Sequence, residues 1–250
     1  MSVTKTLGVA GKGGVGKSTF SALLVHLLAS RKKLLLAVDA DPNSNLDEKL
    51  GMKAGTSVGE IREDLSKTMD SLPAGISKPE FITLKIQQAL TEGEGFDLLV
   101  MGRQEGPGYY CYVNNLLRTI IDNIAQKYSH VVIDNEAGME HLSRRTTRNV
   151  DVLFVLSDPT RTGITTALRI KKLAEEMKIG VGKFVLVVNW AGSLPESLQS
   201  LASEGGFASI ELIPEDESLN QIAEKGQPVA SLPPSSPFRK AVEKLVATYA

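Results

Sequence analysis

Gly11-Lys12-Gly13-Gly14-Val15-Gly16-Lys17-Ser18-Thr19 follows an apolar run, Thr6 to Ala10, and leads into a helical one, Phe20 to Leu28. A glycine-rich turn between a strand and a helix is the setting in which a phosphate-binding loop works. The glycines let the backbone turn tightly, so that successive N–H groups converge on one point. A helix starting near Lys17 brings its unpaired N–H groups and the positive end of its dipole to the same place. At this spacing Lys17 reaches the β- and γ-phosphates, and the Ser18 hydroxyl can ligate Mg²⁺. The stretch implies a nucleoside triphosphate site formed by Gly11 through Thr19.

The pattern on either side predicts the fold. Apolar β-type runs at Thr6–Ala10, Leu34–Asp39, Leu98–Met101, Val131–Asp134, Val152–Leu156, Phe184–Val188 and Ile210–Ile213 alternate with helical patterns. The helical patterns lie at Lys17–Arg31, Val113–Tyr128, Met139–Arg148, Ile164–Met177, Leu194–Glu204, Glu217–Lys225 and Pro237–Thr248. This alternation predicts an α/β fold: a doubly wound, mainly parallel sheet of seven to eight strands with helices on both faces. We read residues 1–250 as one domain. Between Gly51 and Gly95 the pattern weakens to short helical pieces such as Val58–Leu65, which reads as an irregular insertion.

Composition narrows the function classes. The 250 residues carry a net charge of −1, so no global basic field draws nucleic acid or an anionic membrane. No run of about 20 apolar residues is present, and hence no spanning helix is expected. Met1 to Lys5 lead straight into the first strand, which leaves no room for a signal peptide. The single cysteine, Cys111, excludes an intrachain disulfide and fits a reducing, cytoplasmic setting. Of the three histidines, His26 and His130 read as structural, and His141 follows a candidate switch.

Ligands in such sheets sit beyond the carboxyl ends of the strands. There the second strand gives Asp39-Ala40-Asp41-Pro42-Asn43-Ser44-Asn45, two carboxylates one residue apart. Asp41 also suits a turn, and Asn43 or Asn45 a helix N-cap. The fourth strand, Val131-Val132-Ile133-Asp134, ends in a Walker-B-like aspartate that holds Mg²⁺ through a water, and Gly138 lets the backbone approach a γ-phosphate.

With its early lysine, Lys12-Gly13-Gly14-Val15-Gly16-Lys17-Ser18-Thr19 resembles the deviant phosphate loop of a family that includes the nitrogenase iron protein, the MinD and ParA partitioning ATPases, and metal-centre maturation ATPases. The resemblance implies a homodimer bridged by ATP, in which Lys12 reaches the nucleotide of the partner subunit as an arginine finger would. It also implies that Asp41 orients the attacking water, with Lys12 and Lys17 as the other catalytic groups, and that Asp39 lies near Mg²⁺ with Ser18 and Asp134. Asn189 and Pro214-Glu215-Asp216 resemble that family's adenine-recognition positions, which implies ATP rather than GTP. Trp190 suits stacking on the base, the core or the surface.

Gly106-Pro107-Gly108-Tyr109-Tyr110-Cys111-Tyr112-Val113-Asn114, together with Asp134 to His141, resembles the CooC family of accessory ATPases. Those proteins help insert nickel into carbon monoxide dehydrogenase and related acetyl-CoA synthase. The resemblance implies such a client enzyme and a shared Ni²⁺ or Zn²⁺ site, except that the family's Cys-x-Cys is here Tyr109-x-Cys111. Cys111 is therefore either one of two thiolates at a dimer axis or a small buried hydrophobe at the contact. The competing expectation is a MinD- or ParA-like positioning ATPase. That function needs a basic amphipathic tail or a DNA-binding surface, and the expectation here is no nucleic acid and no membrane.

Overall fold

The computed structural model of the chain describes residues 4–43, 45–68, 75–103, 111–136 and 149–250, with backbone alone at 66–68, 111–115 and 118. Its eight strands are β1 (Lys5–Gly11), β2 (Leu35–Ala40), β3 (Thr91–Glu92), β4 (Phe96–Val100), β5 (His130–Asn135), β6 (Asn149–Ser157), β7 (Gly180–Asn189) and β8 (Ser209–Ile213). They form one sheet in the order β3-β4-β2-β5-β1-β6-β7-β8. All neighbours run parallel except the two-residue edge strand β3, which pairs antiparallel with β4. The expected α/β fold with a mostly parallel sheet is what the chain forms.

The helices are α1 (Lys17–Ala29), α2 (Leu46–Leu50), α3 (Val58–Thr68), α4 (Lys78–Ala89), α5 (Cys111–Ala125), α6 (Arg161–Glu176), α7 (Glu196–Ser203), α8 (Glu217–Glu224) and α9 (Pro237–Tyr249). Successive strand residues point to opposite faces, and both faces are apolar. Leu7 and Val9, Val152 and Phe154, and Val185 and Val187 meet α1 and α9 in one core. Leu153, Val155, Leu186 and Val188 meet α6 and α7 on the other face. Phe20 of α1, Phe154 of β6 and Tyr249 of α9 pack edge to face, with centroids 5.4 and 5.9 Å apart, and so tie the last helix to the first.

The stretch 51–95 corrects the expectation of an irregular insertion. Its helices α3 and α4 bury Val58, Ile61, Leu65, Ile82, Ile86 and Ala89 against β2, β4 and α5. Each begins with a reciprocal cap. The Ser57 backbone N–H donates to Glu60 at 2.7 Å and the Glu60 N–H to Ser57 Oγ at 3.2 Å; Ser77 and Glu80 repeat the arrangement. The predicted helix Met139–Arg148 lies outside the described residues.

Candidate functional site

Strand alternation builds the site. Asp39 follows Ala37, Asp134 follows Val132 and Asn189 follows Val187 by two residues, so all three project to the face that carries α1. They stand at the carboxyl ends of β2, β5 and β7, around the loop between β1 and α1. Asp39 and Asp134 are directly opposite in the β2–β5 register. Gly14 and Gly16 take left-handed backbone, φ 76° and 86°, as the tight loop requires. A Cβ on Gly16 would stand 2.8 Å from Asn189 Nδ2, so the loop also lies against β7. Gly16 caps α1 with no side-chain bond, which leaves the amides of Lys17, Ser18 and Thr19 to an incoming anion.

Lys17 is buried, and its ammonium donates to the Lys12 carbonyl at 3.1 Å. Burial lowers its pKa, opposed by the charges of Asp134, Asp41 and Glu136. The carboxylates carry the reverse strain. Burial pushes Asp134 up to about 6, although the Ser18 and Ser21 hydroxyls and Lys17 oppose the shift. Burial pushes Asp39 up to about 7, against the pull of the Leu46 and Asp41 amides. Excess buried negative charge beside a hydroxyl is a hard-oxygen environment for a cation. Ser18 and Asp134 fit Mg²⁺, with Asp39 adjacent. Among the described residues no group of three or more His, Cys, Asp or Glu could by itself hold a metal ion. Mg²⁺ needs no such cage, because it keeps waters and takes substrate phosphates.

The same shift gives a testable pH dependence. Between pH 3.8 and about 6 the folded chain keeps a proton on Asp134 that the unfolded chain has lost. Stability is therefore lost as pH rises through that window, by about 3 kcal/mol at roughly 1.36 kcal/mol per unit. Asp134→Asn cannot ionise. It is expected to raise the melting temperature of the nucleotide-free protein more at pH 8 than at pH 5, and to end Mg²⁺-dependent nucleotide binding. Equal gains at both pH values in thermal melts would contradict this.

Asp39 and Asp41 also hold their own loop. Asp39 accepts from the backbone N–H of Asp41 at 3.0 Å and of Leu46 at 3.1 Å, and Asp41 accepts from that of Asn43 at 2.9 Å. The cap of α2 is thus Asp39. Asn45 stands at the N-cap position but its side chain makes no capping bond, which corrects one of the roles open for it.

Sequence reasoning missed Asp158, which follows β6. Its carboxylate accepts from Lys12 Nζ and from Thr160 Oγ1, each at 2.5 Å. Burial pushes the Asp158 carboxyl up, but these donors outweigh it and hold it below the usual carboxylate range. In the single chain, then, the lysine expected to cross to a partner is folded back. With side chains 38% and 18% exposed, such a pair contributes about 0–1 kcal/mol. It is cheap to open.

A cavity of about 310 Å³ lies beyond β7 and β8, lined by Trp190, Pro214, Glu215, Asp216, Leu219, Asn220 and Phe238. Asn189 Nδ2 donates to the Val15 carbonyl at 3.0 Å, while its buried Oδ1 has no partner. A buried acceptor left so calls for a donor such as a base amine. Pro214 and Glu215 are on the wall of this cavity. Asp216 lines the cavity too, but its carboxylate serves as a structural clasp. It accepts from the Ser218 and Ser236 hydroxyls and from the amides of Ser218, Leu219 and Phe238, so it caps α8 and fixes the entry to α9. Its carboxylate is thus taken up within the chain, while the residue remains on the cavity wall.

His26 lies within α1 and His130 in β5. Burial lowers the pKa of both; His26 packs edge-on to Phe96 at 5.8 Å, and His130 starts β5. Gly138, His141, Tyr109 and Tyr110 lie outside the described residues. Cys111 opens the backbone of α5, and its side chain is not among those described.

Comparison with known proteins agrees with this geometry. The CobQ/CobB/MinD/ParA nucleotide binding domain matches residues 7–229. An uncharacterised ATP-binding protein of Methanocaldococcus jannaschii is 46% identical over 242 residues, 96% of this chain and 96% of that protein. The carbon monoxide dehydrogenase accessory protein CooC of Rhodospirillum rubrum is 32% identical over 185 residues, 69% of this chain and 70% of that protein. The septum site-determining protein MinD of Pyrococcus horikoshii, solved with Mg-ADP, superposes with a TM-score of 0.67 at 20% identity, covering 98% of this chain and 95% of that one. At that identity the likeness speaks for the fold alone. The chain belongs to the CobQ/CobB/MinD/ParA family of nucleotide-binding domains.

Proposed function

We propose that the chain is an ATP-dependent maturation factor that hydrolyses ATP as a homodimer and assists nickel insertion into carbon monoxide dehydrogenase or acetyl-CoA synthase. The observation that carries the switch is Lys12, held by Asp158 within one chain at a junction that costs little to break. ATP gathers its phosphates at the amides of α1 and at Lys17. Two such chains then face each other, and each Lys12 leaves Asp158 for the more concentrated charge of its neighbour's triphosphate. Charge that develops on the transferred phosphoryl group is met by this added ammonium. Asp41, at the end of β2, orients the attacking water. Mg²⁺ held by Ser18 and Asp134 would neutralise charge on the β- and γ-oxygens. Hydrolysis removes the charge that held Lys12 across the axis, and the pair with Asp158 re-forms.

The likeness to CooC over 69% of the chain supports the maturation role. A MinD-like positioning role needs a basic amphipathic helix that can lie on a membrane. The apolar residues of α9, namely Phe238, Val242, Leu245, Val246 and Tyr249, are instead buried in the core, and among the described residues no helix is long and apolar enough to cross a membrane.

In this reading nickel or zinc is cargo, and each subunit offers one soft ligand, Cys111. Equilibrium dialysis with Ni²⁺ is the test. About one ion per dimer is expected with ATP, falling away with ADP and in Cys111→Ala. Metal binding indifferent to both nucleotide and substitution would overturn the metallochaperone role and leave the ATPase standing.

A further inference from the structure

Arg31-Lys32-Lys33-Leu34 joins α1 to β2 at the amino ends of the strands, and all four residues are exposed. Leu34 is 68% exposed, more than any other large apolar side chain among the described residues. It is held in place there. Its carbonyl accepts from the Ser129 and His130 amides at 2.9 and 3.2 Å and from Ser129 Oγ at 2.9 Å. The same stretch brings up two more cations. The Lys5 backbone N–H donates to the Ser129 carbonyl at 2.9 Å, and Thr4 Oγ1 donates to that of Tyr128 at 2.8 Å, next to exposed Lys127. Burial, and then the charges of Lys33 and Lys5, lower the pKa of His130, so both ammoniums lie near that ring.

Lys5, Arg31, Lys32, Lys33 and Lys127 thus cluster with a fixed leucine, and none forms an ion pair among the described residues. Two carboxylates at this end are already engaged. Asp97 accepts from the Tyr128 hydroxyl at 2.5 Å and Asp151 from the Thr6 N–H at 2.7 Å, while Glu94 acts on His26. One cation complements the dipole of α1; five gathered on a chain of net charge −1 call for an outside anion. A nucleic acid backbone would make no use of Leu34. A membrane would gain too little from it, since even a single acyl chain binds only marginally.

We propose that this end of the sheet docks a protein partner through an acidic segment that brings apolar side chains onto Leu34. The cations steer the segment and set its register, and the desolvated leucine holds it. Six residues of β2 put this patch about 20 Å from the phosphate site. A partner docked here leaves the nucleotide face free, so the proposal stands apart from the ATP reading.

The probe is a labelled dodecapeptide of glutamates around a central pair of leucines, titrated against the full chain by fluorescence anisotropy. Lys33→Glu combined with Lys127→Glu is expected to weaken binding by about tenfold or more. Lys225→Glu combined with Lys240→Glu changes net charge equally, away from the patch, and is expected to change binding only slightly. Leu34→Ser removes an exposed side chain and keeps the carbonyl contacts. It is expected to weaken this peptide by about tenfold, the scale of burying one leucine, and an all-glutamate peptide hardly at all. Circular dichroism of each variant should match wild type. Equal effects of the two charge pairs, no effect of Leu34→Ser, or wild-type protein that binds no peptide would overturn the proposal. So would a DNA duplex or phosphatidylserine vesicles held through the same residues more tightly than the peptide.

Discussion

Lys12→Ala is expected to lower ATP turnover by on the order of 10³-fold or more, the scale on which a cation supplied in trans accelerates phosphoryl transfer. ATP affinity per subunit should hardly move. The reason lies in how the loop is divided between its two lysines. Within its own subunit the Lys12 side chain points to Asp158 and contributes to the phosphate loop only its backbone carbonyl, which accepts from Lys17. Alanine keeps that carbonyl. What is lost is the ammonium destined for the neighbour, and with it charge stabilisation that matters only in the transition state. Single-turnover hydrolysis measured beside ATP binding separates the two effects. A parallel fall in affinity and rate would mean that Lys12 serves its own nucleotide.

Lys17→Ala should fail at the earlier step. Its ammonium faces Asp134, Asp41 and Glu136, and in the loaded site it meets the β- and γ-phosphates. Charge-assisted hydrogen bonds of about 1.5–3 kcal/mol each, two of them lost, put the expected fall in ATP affinity at on the order of 10²–10⁴-fold. The variant should also become less stable, with a sign that pH can check. Without its cation, Asp134 is held still further above the ordinary carboxylate range. The added deficit appears as pH rises past about 6 and is absent at pH 5, where the folded carboxyl is protonated in wild type and variant alike. Calorimetric titration and melts at pH 5 and pH 8 test both parts. ATP affinity within a few-fold of wild type would contradict the assignment of Lys17.

The features legible in the sequence were those written in local pattern. The apolar run closed by Asp134, the loop from Gly11 to Thr19 and the alternation of strands and helices each fit in a short window, and each stands in the structure where its residues implied. α3 and α4 were harder to read because, among the described residues, each gives only three apolar side chains to the core in a stretch rich in Lys, Asp and Ser. Their Ser57…Glu60 and Ser77…Glu80 caps were the available signal. β3, two residues long, offers no period to detect.

The partner of Lys12 stands 146 residues away, so no local window contains both. The rule that ligands gather at strand ends would have reached it, had Ser157-Asp158 been examined as Asp39 and Asp134 were. Asp216 shows the converse. Its place beyond β8 was legible, but the serine that claims its second oxygen lies 20 residues further on, at the entry to α9. Trp190 was visible as a residue and not as a conformation, since its left-handed φ of 59° lies between Asn189, tied to the Val15 carbonyl, and Ala191, tied to that of Ile213.

The account depends most on two chains closing over ATP with each Lys12 exchanged. Sedimentation of the wild-type protein with Mg²⁺ and a non-hydrolysable ATP analogue tests this directly, with ADP as the reference. Conversion from monomer to dimer by the analogue and not by ADP is the predicted result. A particle that remains monomeric with the analogue bound at saturation would contradict the account.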